Sequence, residues 1–184
     1  NCRIVLIENY KCENKEQLRM REQYWIDYYK KYTDYNVVNM KSMFEDTEAY
    51  RFGFGRNSMY RWHIKNVTNM SKMFKNCENF NQPLNNWNVS NVENMYGMFF
   101  GCNKFNQPLN DWDVSKVKNT WDLFACCTMF NQPLNQWNVS NVKEMGHMFY
   151  ACENFNQPLN KWDVSNVEEM SYMFFYCPKF NQPL

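Results

Sequence analysis

Apolar positions recur along this chain at a fixed interval of 25 residues, and most of the sequence follows that interval. The clearest sign is the string Phe-Asn-Gln-Pro-Leu, which begins at Phe80, Phe105, Phe130, Phe155 and Phe180. Tryptophan, valine, methionine and cysteine occupy columns of their own in the same register. One such unit cannot bury its apolar side chains alone, so this repetition predicts a stack of units that share one core.

Within one unit the spacing of apolar residues changes along the chain. Trp87 and Val89 alternate with polar residues, which predicts a very short strand. The next apolar residues stand at i, i+3, i+4 and i+7, which is one face of a helix, and they are Met95, Met98, Phe99 and Cys102. Pro108 then predicts a return corner. We therefore expect an α/β repeat solenoid of the leucine-rich-repeat type, with one short strand and one short helix in each 25-residue turn.

The constant columns of such a stack form its core, whereas the variable columns form its surface. Three variable columns lie in the predicted helical segment and contain several aromatic residues. Exposed aromatic side chains are favoured anchors for protein partners. The sequence therefore predicts a non-enzymatic scaffold that binds a protein partner through Tyr96, Phe100, Trp121, Tyr150, Tyr172 and Phe175. Two alternatives stay open: these rings pack around helix edges and recognise nothing, or the polar strand side, with Asn88 and Asp113, is the binding surface.

Two constant columns are interpreted as structural. The asparagine after each opening phenylalanine, as in Asn81 and Asn106, is predicted to bond backbone groups that a bend leaves unpaired. The cysteines that share one repeat position are predicted to be small buried free thiols, and they are Cys77, Cys102, Cys127, Cys152 and Cys177. No Cys-x-x-Cys pair suggests zinc, so we expect no cofactor in the repeat array. Free thiols favour an intracellular setting, such as the cytoplasm of a cell or of a virus-infected host.

Composition narrows the class of protein further. Hydrophobic residues make up 45% of the 184 residues, which is ample for a core and argues against disorder. The net charge is +1, so no whole-chain field attracts nucleic acid or an anionic membrane. The chain has no apolar run of about 18 residues, so we expect no membrane span. His63 and His147 have no obvious serine or cysteine partner, which argues against a catalytic triad.

The first forty residues follow a different pattern. The apolar run from Cys2 to Tyr10 predicts a strand, and a helix-start signal at Asn14 predicts a helix from about Lys15 to Lys31. Glu22 falls on the apolar stripe of that helix. A carboxylate there is costly to bury unless it is paired with a neighbouring arginine or binds a metal ion.

A resemblance to a nuclease family is carried by three runs within residues 1–40, which are Ile4-Val5-Leu6-Ile7-Glu8, Cys12-Glu13-Asn14-Lys15-Glu16-Gln17-Leu18 and Arg21-Glu22-Gln23-Tyr24-Trp25-Ile26-Asp27. On these residues the segment resembles the second half of a GIY-YIG nuclease domain. The resemblance implies that Glu22 holds Mg²⁺ or Mn²⁺, which would neutralise charge on a DNA phosphate during cleavage. It also implies a supporting asparagine, for which Asn39 is the candidate and Asn36 the alternative. The family's two tyrosine-bearing strands are absent, so we expect no catalysis from this chain, and a truncated DNA endonuclease is the alternative function.

The repeat units resemble a second family. They share the pattern Phe-Asn-Gln-Pro-Leu-Asn-x-Trp-Asp/Asn-Val-Ser-Asn-Val-x-x-Met-x-x-Met-Phe-x-x-Cys over residues 59–184. This pattern resembles the BspA-like leucine-rich repeats, the 25-residue type found in mycoplasma lipoprotein-associated proteins. The resemblance implies a solenoid of about five repeats, often carried on microbial surface proteins that bind other macromolecules.

The boundary between the two segments has two interpretations. Residues 41–58 are either a junction or a degenerate first repeat, between the nuclease-like segment at 1–40 and the repeats at 59–184. The run Asn39-Met40-Lys41-Ser42-Met43-Phe44 resembles the run Asn69-Met70-Ser71-Lys72-Met73-Phe74 of the array. Asn39 therefore belongs either to a nuclease-like site or to a degenerate repeat.

Overall fold

The computed structural model describes residues 39–45 and 64–183. Residues 64–183 stack as 25-residue units in register, and residues 39–45 pair with the first of these units at a step of 30 residues. Single parallel bridges join equivalent residues of consecutive units, at Asn39–Asn69, Asn69–Asn94, Asn94–Asn119, Asn119–Glu144 and Glu144–Glu169. The described residues contain no α-helix and no strand longer than such a bridge, and the remainder of each unit is turns and irregular backbone. The predicted strand at 2–10 and the predicted helix at 15–31 lie outside the described residues.

The predicted α/β solenoid with a strand and a helix in each unit is therefore wrong. The segment 95–102, predicted as a helix, is a series of turns, although its apolar residues are buried. Gly97 and Gly101 have φ values of 56° and 69°, which are left-handed and interrupt an α-helix at both positions. The equivalent positions of the other units are also left-handed at Lys72, Asn76, Asp122, Cys126, His147, Ala151, Tyr172 and Tyr176.

Hydrogen bonds between units explain why turns replace the helix. The amides of Met95, Gly97 and Phe99 donate to carbonyls of the following unit at N–O distances of 2.8–3.0 Å. The amides of Met98 and Phe100 donate to carbonyls three residues earlier, both at 3.1 Å. In an α-helix, the amides beyond its first turn would instead donate to carbonyls four residues earlier. Hydrogen bonds between units therefore determine the backbone conformation of this segment, although its apolar residues have helical spacing.

The predicted strand at Trp87 and Val89 is absent as well. The amide of Trp87 donates to the carbonyl of Leu84 at 3.0 Å, and the amide of Val92 donates to the carbonyl of Val89 at 2.8 Å. Each bond closes a turn rather than pairing with a neighbouring strand. Trp87 and Val89 are nevertheless buried, so their alternation with polar residues marks the inward side of successive turns.

The core consists of the constant columns, as the period predicted. One column of parallel rings has centroids 5.6–5.8 Å apart, and it contains Phe44, Phe74, Phe99, Phe124, Phe149 and Phe174. A second column lies 4.1–4.2 Å from the first, and it contains Phe80, Phe105, Phe130, Phe155 and Phe180. Offset ring pairs of this kind contribute about 0.5–1.5 kcal/mol each beyond the area that they bury.

Polar atoms inside the core are satisfied by the preceding unit. The thiol of Cys127 donates to the carbonyl of Phe99 at 3.0 Å, and the other column cysteines make the equivalent bond. The indole Nε1–H of Trp137 donates to the carbonyl of Leu109 at 2.8 Å. Burial raises the pKa of the Cys127 thiol well above its ordinary value, so the thiol keeps its proton at neutral pH. The interpretation of this column as small buried thiols is confirmed.

The asparagine column bonds one unit to the next. The Oδ1 atom of Asn106 accepts the amide N–H of Asn131 at 3.0 Å and the Nε2–H of Gln132 at 3.0 Å. Asn81, Asn131 and Asn156 accept the same two bonds from the unit that follows each of them. We call this arrangement the amide clamp. It confirms that the asparagines satisfy backbone groups, and it explains why glutamine is constant beside them.

Candidate protein-interaction face

The turn segment of each unit carries variable side chains on its outer surface. In one unit Met145, Met148 and Phe149 are buried, whereas His147 and Tyr150 are partly exposed. Because the units stack in register, the exposed positions of successive units lie side by side. We call this surface the aromatic face, and it consists of Tyr96, Phe100, Trp121, His147, Tyr150, Tyr172, Phe175 and Tyr176.

All six residues predicted from the sequence to bind a partner lie on the aromatic face. Tyr96, Phe100, Trp121 and Tyr150 are partly exposed. Tyr172 and Phe175 are 61% and 45% exposed. Their role in binding a partner stays a prediction.

Two members of the face were not among the predicted residues. Tyr176 is 67% exposed. Its repeat position is occupied in the earlier units by Asn76, Gly101, Cys126 and Ala151. His147 belongs to a variable column of the predicted helical segment, but it was not among the residues predicted to bind a partner. The variability of both columns was the available signal.

His147 lies at the centre of the face. Its ring centroid is 5.4 Å from the rings of Trp121 and Tyr172 and 5.5 Å from that of Tyr150. Its Nδ1 atom is 3.3 Å from Oδ1 of Asp122. Burial raises the pKa of Asp122, and the nearby His147 opposes that shift. These contacts link three consecutive units and hold the imidazole in one place.

Gly146 makes room for the indole of Trp121. A Cβ atom at position 146 would lie 2.8–2.9 Å from three carbon atoms of that indole, which is closer than van der Waals contact allows. The two residues occupy the same column in consecutive units. A large aromatic residue followed by glycine at the same position of the next unit therefore indicates a ring that packs over that glycine.

Four rings at one end of the face form a group that we call the ring cluster, Tyr150, Tyr172, Phe175 and Tyr176. Tyr150 and Phe175 are stacked at 5.7 Å and 20°. Tyr172 and Tyr176 stand nearly perpendicular to Phe175, at 90° and 74°. These contacts fix the rings of the cluster against one another.

At the other end of the face, lysines lie over rings of the following unit. The Nζ atom of Lys72 is 5.5 Å from the ring centroid of Tyr96, and that of Lys75 is 5.8 Å from the centroid of Phe100. Lys75 also bonds Glu45 at 3.0 Å. Burial alone would raise the pKa of Glu45, but hydrogen bonds from Ser42 and Lys75 outweigh it and lower that pKa. Glu45 is therefore negatively charged at neutral pH.

Comparison with protein families identifies the chain. The model of the family described as "Mycoplasma protein of unknown function, DUF285" matches residues 20–128 and 111–184. The chain belongs to this family. Neither the curated proteins nor the solved structures give a match to this DUF285 chain. The first family match begins at residue 20, inside the segment that resembles a nuclease, and no comparison supports the nuclease resemblance.

Of the three residues that the nuclease resemblance singled out, only Asn39 lies among the described residues of this DUF285 chain. Glu22 and Asn36 lie outside the described residues, so Mg²⁺ or Mn²⁺ at Glu22 stays a prediction. Asn39 pairs with Asn69 in the stack, and its Oδ1 accepts the amide of Lys41 at 2.9 Å. Asn69 accepts the amide two residues later in the same way, at 2.9 Å. The structure thus places Asn39 in the same repeat column as Asn69.

The described part of this DUF285 chain contains neither a candidate metal site nor a candidate membrane-spanning helix. Residues 39–45 and 64–183 hold no group of three or more His, Cys, Asp or Glu side chains that could bind a metal ion. The same ranges contain no helix with the length and apolar character needed to cross a membrane.

Proposed function

We propose that this chain is a non-enzymatic repeat scaffold that binds a protein partner through the aromatic face. The observation that carries the proposal is the contrast between the core and this face. Units with a neighbour on each side bury the phenylalanines of both core columns, yet Tyr96, Phe100, Trp121 and Tyr150 in those units stay partly exposed. Aromatic side chains are enriched where protein partners meet, because a ring buries a large apolar area on binding.

The aromatic face also loses little conformational freedom when it binds. Ring contacts hold His147, Tyr150 and Phe175 against one another, and the left-handed backbone beneath them is bonded to neighbouring units. A surface whose side chains are already ordered retains more of its contact energy as affinity. The resemblance of the units to BspA-like repeats, which are often carried on microbial surface proteins, agrees with a binding role.

Capture of partners from the source cells tests the proposal. The tagged chain is compared with a Tyr150→Ser/Phe175→Ser double variant, which removes two stacked rings from the face. The matched control is Met129→Ser, because Met129 is 53% exposed and lies outside the aromatic face. We expect one partner to be recovered equally by the unsubstituted chain and the control, and to fall by about tenfold or more with the double variant. All three proteins are first shown to unfold at the same denaturant concentration.

Two outcomes would contradict the proposal. A partner retained by the double variant would show that the aromatic face does not bind it. Equal loss with Met129→Ser would show a nonspecific apolar contact.

A further inference from the structure

We infer that the aromatic face binds a proline-rich segment in the polyproline II conformation, through donor groups on the inner units of the stack. This inference names the chemistry of the partner in the proposed function and rests on that proposal. It depends on Lys72, Tyr96 and Trp121, which belong to units with a neighbour on each side.

Trp121 differs from the tryptophans of the core in the use of its indole nitrogen. The Nε1–H groups of Trp112, Trp137 and Trp162 donate to leucine carbonyls of the preceding unit at 3.0, 2.8 and 2.9 Å. In the described part of the chain, the Nε1–H of Trp121 has no acceptor. The three indole carbons that pack over Gly146 belong to the six-membered ring, so the nitrogen lies away from that contact. This partly exposed side chain therefore keeps its N–H for a partner.

Two further donors lie on the same face in the two preceding units. Tyr96 occupies the column of Trp121 one unit earlier, and its hydroxyl forms no hydrogen bond with any described residue. The Nζ atom of Lys72 lies 5.5 Å from the ring centroid of Tyr96 and forms no salt bridge within the described ranges. Indole and ammonium groups only donate, whereas a phenol donates or accepts. The polar atoms that this part of the face offers to a partner are therefore mainly donors.

The acceptors beside these donors are already in use. The carbonyls of Tyr96, Phe100 and Trp121 each accept an amide of the preceding unit at 2.7–2.8 Å. The carboxylate of Asp122 faces His147, with 3.3 Å between Oδ1 and Nδ1. An ordinary extended peptide would bring N–H groups that find few acceptors here, and an N–H buried without an acceptor costs affinity.

A proline-rich segment matches a surface of donors. Proline has no N–H, and a polyproline II helix makes no internal hydrogen bonds, so its carbonyls are free to accept. The partial negative charge of those carbonyls is complementary to the donors of Lys72, Tyr96 and Trp121. Proline-rich segments recurrently dock in grooves lined by aromatic side chains, and they lose little entropy because they are extended before they bind.

The rings of the inner units stand apart and leave a groove for such a segment. In the core, consecutive phenylalanines of the first column are 5.6–5.8 Å apart. Tyr96 and Trp121 also occupy one column in consecutive units, but they form no ring contact in the described structure. Gly97, next to Tyr96, contributes no side chain to this space. The side-chain carbons nearest to a Cβ atom at position 97 would lie 3.6–4.0 Å away, in Lys72, Phe100 and Asp122.

Binding of defined peptides to the full chain tests the inference. The probe is a fluorescent peptide of about ten consecutive prolines with Gly/Ser ends, and its counterpart has alternate prolines replaced by alanine, which restores N–H groups. Fluorescence anisotropy is expected to show that the proline peptide binds about tenfold tighter. Equal affinity of the two peptides, or no binding of the proline peptide at about 1 mM, would overturn the inference.

Variants test whether the donors make the contact. Tyr96→Phe and Trp121→Phe each remove one donor and keep an aromatic ring, and each should weaken binding of the proline peptide about fivefold. Met129→Leu, outside the face, should bind like the unsubstituted chain. All variants are first shown to unfold at the same denaturant concentration. Undiminished binding by the double variant Tyr96→Phe/Trp121→Phe would mean that the donors are not used, and the inference would be wrong.

The peptide test and the capture test can fail independently. If a captured partner depends on the aromatic face while the peptides show no preference for proline, the inference fails and the proposed function stands. If no partner depends on the face, the proposed function fails whatever the peptides show.

Discussion

Replacing Phe124 with alanine is expected to lower the free energy of unfolding by about 3–5 kcal/mol. The ring is fully buried and lies in the middle of the first phenylalanine column, 5.7 Å from Phe99 and 5.8 Å from Phe149. It also lies 4.2 Å from Phe130. Alanine would leave a cavity between three consecutive units, and in a repeat stack each unit is held mainly by its neighbours. Denaturant unfolding followed by tryptophan fluorescence measures the loss.

The same substitution at Phe175 is the matched control. Phe175 is 45% exposed, and its ring packs against Tyr150, Tyr172 and Tyr176, so Phe175→Ala is expected to cost less than about 1 kcal/mol. If Phe124→Ala and Phe175→Ala destabilise the chain equally, the phenylalanine columns are not its core.

Loss of one amide clamp is the second large effect. Asn106→Ala removes the acceptor of two N–H groups, the backbone amide of Asn131 and the Nε2 amide of Gln132. Partly buried donors left without an acceptor cost about 1–3 kcal/mol, and we expect a decrease of that size in the free energy of unfolding. Denaturant titration of the full chain gives the value.

Asn106→Asp separates the hydrogen bonds from the side-chain volume. Aspartate keeps an acceptor oxygen at the clamp, and Asn106 is partly exposed, so its charge stays hydrated. We expect Asn106→Asp to retain most of the stability that Asn106→Ala loses. Equal losses in the two variants would show that the clamp oxygen does not bond the next unit.

The 25-residue period was sufficient to predict which side chains form the core. Trp87, Phe99 and Cys102 are all buried, as their columns predicted. Burial depends on which residues repeat, and that information is present in the sequence. The period also pointed to the clamp asparagines, although not to their bonds with glutamines of the next unit.

The backbone between those columns could not be predicted from apolar spacing alone. Met95, Met98, Phe99 and Cys102 satisfy the spacing of a helix, but a series of turns with left-handed residues buries the same four side chains. The choice depends on hydrogen bonds to the following unit, which local periodicity does not report. Gly97 and Gly101 were the available signal, because glycine is unfavourable inside a helix and suited to positive φ.

The candidate face was predicted in part, since variability marks a surface position. Its six predicted aromatics lie on one face, but the place of His147 between Trp121 and Tyr172 depends on the register of three units. The proximity of Lys72 to Tyr96 depends on the same register. Such contacts follow from the geometry of the stack, which the helix prediction misrepresented.

The left-handed turns are the central claim, because they place the variable rings on one face. The substitution Ala151→Gly tests them most directly, since Ala151 has a φ of 55° and the equivalent Gly101 has 69°. In a left-handed position, glycine relieves strain and should raise the free energy of unfolding by about 0.5–1 kcal/mol. In a helix interior, the same change would lower it by about 1 kcal/mol. A gain in denaturant unfolding is the predicted result, and a loss of that size would contradict the turn-built stack.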